Sequence, residues 1–172
     1  MSGARPVAGK GVKLVPQLVI KRDDLSDGVV EALLTEHHRE MHLHSPPQSI
    51  HALESSQLRD PGVTFWSAWI GNQLAGCGAL KELAPDHGEV KSMRTARAHL
   101  RKGVAKEILK HIIAEAEARS YLRISLETGT NDAFLPARTL YERSGFRQCA
   151  PFGDYEYDPY STYYEKELAV ID

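Results

Sequence analysis

The residues best placed to do chemistry lie in the run Leu100-Arg101-Lys102-Gly103-Val104-Ala105-Lys106. A helix that starts here leaves its first N–H groups without carbonyl partners from the same helix. Those free donors, the positive end of the helix dipole and the cations Arg101 and Lys102 make a seat for a phosphate-bearing ligand. Gly103 has no side chain to hold such a ligand away from the backbone. Ala105, Ile108, Leu109, Ile112, Ile113 and Ala116 announce the helix itself, because they cover one face at a 3.6-residue period. The strand expected just before it, Glu89–Thr95, carries a carboxylate at its start. Simple alternation along that strand puts Glu89, Lys91 and Met93 on one face.

The remaining elements must position this seat. Leu18 to Arg22 reads as a strand, and Ser26 or Asp27 caps a helix running through Leu33 and Leu34 to Met41. Ser45-Pro46-Pro47 breaks it, and a second helix is predicted from Gln48 to Leu58. After the turn at Asp60-Pro61-Gly62, Val63–Ile70 and Gln73–Leu80 form a hairpin around Gly71-Asn72. A loop from Ala84 to Gly88 leads into the Glu89 strand. The amphipathic helix runs to Arg119, and Arg123–Thr128 follows as a short strand. A helix from Pro136 to Ser144 is stopped by Gly145, and strands at Phe146–Ala150 and Thr162–Leu168 close the chain. Antiparallel runs flanking a central β-α-β unit imply an α/β protein with a mixed sheet and helices on both faces.

Bulk properties exclude several classes. The chain has 172 residues, 42% apolar and 26% charged, which suits a globular domain. Its formal net charge of −2 carries no general signature of nucleic-acid or membrane-surface binding. No apolar run reaches the ~18 residues of a membrane span. Cys77 and Cys149 are expected as free thiols of a cytoplasmic protein. Residues 1–17 lack periodicity and are expected to form a flexible tail ahead of one domain over 18–172. His37, His38, His42, His44 and His51 cluster near the first helix, but no suitably spaced Asp, Glu or Cys completes a metal motif there. A nucleotide-binding reading of the helix start lacks both the G-x-x-x-x-G-K-[ST] loop and a G-x-G-x-x-G after the first strand.

Two segments together carry a family resemblance. Leu100-Arg101-Lys102-Gly103-Val104-Ala105 is similar to the R/Q-x-x-G-x-G/A motif of the GNAT superfamily of acetyl-CoA-dependent N-acetyltransferases. Phe134-Leu135-Pro136-Ala137-Arg138-Thr139-Leu140-Tyr141-Glu142-Arg143-Ser144-Gly145-Phe146 resembles its N-x-x-A-x-x-L-Y-x-x-x-G-F motif. Leu100 departs from the usual Arg or Gln, and Phe134 from the usual Asn. The wording GEVKSMRT, HLRKGVA and PARTLYERSGF is most similar to a bacterial YsnE-type group of the superfamily. The resemblance covers roughly Val19 to Leu168 and implies a sheet of about seven mostly antiparallel strands, splayed between the fourth and fifth.

It also implies roles. Acetyl-CoA would run along the backbone of Met93, Arg94 and Thr95, with its pyrophosphate on the N–H groups of Arg101 to Lys106 and with Leu100 and Phe134 also in the cofactor site. Tyr141 matches the family tyrosine next to the sulfur and is the candidate general acid. Glu89 is the leading candidate base, with Glu127 and an ordered water as rivals; a buried glutamate can have its pKa raised into the working range. In the fold the helix connection covers the acceptor side, which makes Ser49 and His51 polar contacts for the acceptor, beside Glu127. The expected reaction is transfer to a primary amine of a small molecule, and the alternative is an acyl-CoA-binding sensor without turnover. The resemblance also allows a homodimer.

Overall fold

The structure is a computed structural model and describes residues 17–170; the expected tail over 1–17 lies outside the described residues but for Gln17. Seven strands form one sheet in the order β1-β2-β3-β4-β5-β7-β6. They are β1 (Leu18–Arg22), β2 (Val63–Ile70), β3 (Gln73–Ala84), β4 (His87–Thr95), β5 (Arg123–Gly129), β6 (Arg147–Cys149) and β7 (Ser161–Glu167). Every neighbouring pair is antiparallel except β4 and β5. The helices are α1 (Val29–His44), α2 (Ser55–Leu58), α3 (Val104–Ala118) and α4 (Leu135–Arg143). No helix among the described residues is long and apolar enough to cross a membrane.

Alternation along β2 shows why both faces are covered. Trp66 and Ala68 point into the cluster of Ile108, Leu109, Ile112 and Ala116 on α3, while Phe65 packs with Val30, Leu33 and Leu34 of α1. The chain differs from expectation in two places. The predicted Gln48–Leu58 helix is a 3-10 turn at Pro47–Ser49, an extended stretch, and the four-residue α2. The predicted loop at Ala84–Gly88 is a tight connection, since β3 runs to Ala84 and β4 begins at His87. Asp27 contributes to the start of α1 by accepting from the Val29 N–H, although Gly28 holds the N-cap position itself.

The site is set by where β4 leaves β5. Their parallel pairing spans only His87 to Glu89 against Arg123 to Ser125, after which the strands separate. β3 keeps its pairing with β4 through Thr95, and β5 keeps β7 through Gly129. The bend is made by a bulge: β3 passes from Cys77 to Ala79 while β4 passes from Arg94 to Lys91. Ser92 takes φ 55° there. The extra residue inverts alternation, so Met93 packs with the α3 core while Glu89 and Lys91 stay on the α1 face. This corrects the expected common face of Glu89, Lys91 and Met93.

Gly78 lies across from the bulge, where a Cβ would stand 2.8 Å from both Ile108 Cγ2 and Met93 Sδ. Gly78→Ala is therefore expected to lose about 1–3 kcal/mol, read as a fall of roughly 3–10 °C in Tm by calorimetry. An unchanged Tm would show that α3 does not press on the bulged strand.

Candidate active site

Beyond Glu89 the separated strands enclose a cavity. It is lined by His37 and Met41 of α1, His51 and Ala52, Lys91 to Met93 of β4, Glu127 to Gly129 of β5, and Phe134, Ala137 and Tyr141 at α4. A second cavity of about 430 Å³ lies between the β3–β4 hairpin and the 152–158 loop, and shares His51, Glu89 and Lys91 with the first. Both base candidates, the acid candidate and His51 thus come to one place.

The two carboxylates have opposite surroundings. Glu89 is 2% exposed. Its Oε1 accepts from Lys91 Nζ at 3.3 Å and from the Tyr155 hydroxyl at 2.5 Å. Glu127 accepts from the Ser161 hydroxyl at 2.8 Å and has no ion-pair partner among the described residues. Burial pushes its pKa up to about 7, only partly offset by the Ser161 hydrogen bond and by Lys91. Burial, with the Glu127 charge beside it, pushes the Tyr141 phenol above its ordinary range and keeps it protonated. The Tyr141 hydroxyl takes no side-chain partner among the described residues. His37 is held neutral, lowered to about 4 by burial and then by Arg94.

At the far end of β4 lies the helix start expected to serve as an anion seat. Gly103 caps α3 at φ 81° with open space where a Cβ would be, and Arg101, Lys102 and Lys106 are exposed around it. The N–H of Glu107 goes to the Gly103 carbonyl, which leaves the preceding N–H groups of the first turn without helix partners. Val104 is buried under the turn and Ala105 is half-buried. The Leu100 side chain is exposed and its N–H points back to the Arg97 carbonyl. Arg94 spends its guanidinium on Glu40 at 2.6 Å and Glu36 at 3.5 Å, which ties α1 to the strand end next to Thr95. Phe134 lies against the Gly129 backbone and edge-on to His44, at 6.2 Å between ring centroids, so it supplies an apolar wall.

Ser49 lines neither cavity; it is buried on the side of Asp158, whose carboxyl it helps hold below the usual carboxylate range. Sequence reading missed Tyr155, which contacts Glu89, Lys91 and His51. The available signal was the aromatic and acidic run PFGDYEYDPY, which joins two strands at the site end of the sheet.

Comparison with known proteins agrees with this geometry. The sequence matches the Acetyltransferase (GNAT) family over residues 29–146. It is 60% identical to the uncharacterized N-acetyltransferase YsnE of Bacillus subtilis, over 87% of this chain and 99% of that one. Identity to the uncharacterized N-acetyltransferase YedL of Escherichia coli is 53%, over 84% and 91%. Among solved structures, one from Klebsiella pneumoniae described as an acyl-CoA N-acyltransferase superposes with a TM-score of 0.73 at 23% identity, covering 90% of this chain and 99% of that one. The PaiA N-acetyltransferase of Thermoplasma acidophilum, solved with coenzyme A, gives 0.68 at 15% identity, covering 88% and 99%. The chain belongs to the GNAT family of acetyltransferases, in a YsnE-type group.

The raised carboxyl of Glu127 has a stability consequence. Its folded pKa of about 7 stands above its ordinary 4.5, so its stabilising contribution is complete below 4.5 and is lost as pH rises through 7. Glu127→Gln should raise stability at pH 8 by on the order of 1–3 kcal/mol, read as a higher Tm, and leave Tm unchanged at pH 4. A Tm gain that is equal at both pH values would refute the assignment.

Proposed function

We propose that the protein moves an acetyl group from acetyl-CoA to a primary amine of a small molecule by direct attack. The observation that carries this reading is the opening between β4 and β5, walled by Glu127 and Tyr141, with the free helix start at Gly103 at its end. The N-acetyltransferase relatives and the coenzyme A complex of a fold neighbour support it. The seat fits a pyrophosphate because Gly103 leaves the backbone bare and three exposed cations surround it. We assign the activity to residues 18–172 as one unit, acting in the cytoplasm, where its two cysteines would stay free thiols.

When bound, acetyl-CoA supplies an activated acyl carbon and a thiolate leaving group. The backbone of Met93 to Thr95 offers an N–H to the thioester oxygen, where negative charge develops during attack. Glu127 takes one proton from the acceptor ammonium and passes it to solvent, then takes a second as the C–N bond forms. Tyr141 would donate its hydroxyl proton to the departing sulfur as the C–S bond breaks, and would be re-protonated by that second proton from Glu127, so that one proton is released in the cycle. Glu127 is preferred to Glu89 as the base, because Lys91 and Tyr155 both donate to Glu89 Oε1 whereas Glu127 keeps only the Ser161 hydroxyl.

A thiol-release assay with acetyl-CoA over a panel of amines tests the reading. Turnover of at least one amine is expected; binding of acetyl-CoA with no turnover would favour the sensor. Because Glu127 must be ionised to accept a proton, kcat/KM should rise with pH through about 7. Glu127→Gln should remove that limb and cost roughly 10²–10⁴-fold in rate. Gly103→Glu should abolish acetyl-CoA binding measured by calorimetry. Gly103→Gln, which shares its backbone strain without the charge, should bind far better. Tyr141→Phe should lower kcat more than affinity, and equal losses would reduce the tyrosine to packing.

A further inference from the structure

Lys91 is a lysine with almost no water: its side chain is 8% exposed, and that of its partner Glu89 is 3% exposed. All three of its N–H donors are engaged, each by a different part of the chain. Nζ donates to Glu89 Oε1 at 3.3 Å on β4, to the Tyr155 hydroxyl at 2.8 Å on the loop before β7, and to the His51 carbonyl at 3.0 Å between α1 and α2. Tyr155 in turn donates to Glu89 at 2.5 Å. Its ring is held by His51 at 5.1 Å, Phe152 at 5.0 Å and Tyr163 at 5.6 Å between centroids. His51, Glu89 and Lys91 are also the residues shared by the two cavities.

We infer that Lys91, with Glu89 and Tyr155, is a positioning unit that clamps the 50–54 segment and the 150–160 loop onto β4, and so fixes the wall along which the acceptor amine reaches Glu127. A lysine with every donor taken has none left for a substrate, so the unit acts by shape. Its three contacts are long-range in sequence, and neither bound segment has regular structure of its own to hold it there. The cofactor seat at Gly103 lies on a separate stretch of backbone, beyond the bulge. Acceptor placement should therefore depend on the clamp, and acetyl-CoA binding should not. The inference rests on the reading of the opening as the acetyl-transfer site.

Two variants test it, each read in two ways. Tyr155→Phe removes only the hydroxyl and keeps the stacked ring; Lys91→Met removes the charge and keeps the stem. In amine turnover, each should raise the acceptor KM by roughly tenfold or more while leaving the acetyl-CoA KM within about twofold. In amide hydrogen exchange, which needs no substrate, residues 50–54 and 150–160 should both exchange faster, with no change at 103–107. An unchanged acceptor KM, a parallel rise in both KM values, or faster exchange in only one segment would overturn the clamp. Should the native protein turn over no amine, the acetyl-transfer reading fails. The exchange measurement then still decides whether Lys91 and Tyr155 hold the two segments.

Discussion

Every functional feature depends on the parting of β4 from β5 after the Glu89–Ser125 pair. Each strand keeps its outer neighbour, so the sheet opens in the middle without falling into two pieces. An opening inside a sheet leaves backbone groups unpaired, an arrangement that folding alone would avoid. The parting is built in by the bulge at Ser92, a non-glycine residue at φ 55°, a backbone conformation that costs about 1 kcal/mol. The Cys77 thiol donates to the Ser92 carbonyl at 3.3 Å, and the Arg94 ion pairs with α1 hold the strand beyond. Strain held in place from both sides is what preorganisation requires.

That parting also decides the electrostatics. Glu89, Lys91 and Glu127 face the same side of the sheet, two anions and one cation. Lys91 lies two residues from Glu89 on the same strand, and it closes on that carboxylate together with Tyr155. Glu127, across the gap, keeps only a neutral hydroxyl. Burial then acts on it with little opposition, and its pKa comes into the range where a base works at neutral pH. The two carboxylates thus differ in which of them the lysine bonds, and that difference is what the proposal of Glu127 as base rests on.

The parts of the molecule written in local pattern were legible in the sequence. The hairpin around Gly71-Asn72 and the periodic helix behind Gly103 could be read directly, and so could the helix stop at Gly145. The mixed sheet, splayed at its fourth and fifth strands, followed from the order of elements and the family resemblance. What could not be read depends on contacts distant in sequence. Nothing in EVKSMRT marks Ser92 as a bulge, since no glycine signals the positive φ, and alternation across it therefore gave the wrong face for Met93. The residues after Ser49 have helix-compatible composition, yet the chain is extended there, and the His51 carbonyl is taken by Lys91. Tyr155 lies in a loop without periodicity, and its importance comes from partners more than sixty residues away in the chain.

The two departures from the family motifs also find a physical account. Leu100 replaces a polar residue, but its side chain is exposed and its N–H turns back to Arg97, so it has no share in the first-turn donors. Those donors belong to backbone, which any sequence presents once Gly103 has taken its left-handed conformation. Phe134 gives up an amide, and its ring instead covers the Gly129 backbone so closely that any side chain there would collide with it. Asn131 caps the 3-10 turn at Asp132–Phe134 by accepting from the Ala133 N–H, and Arg138 bonds to the Gly129 and Asn131 carbonyls, while α4 itself starts at Phe134 without a side-chain cap. Phe134 is left to wall the cavity from the side of α4, beside Glu127 and Tyr141.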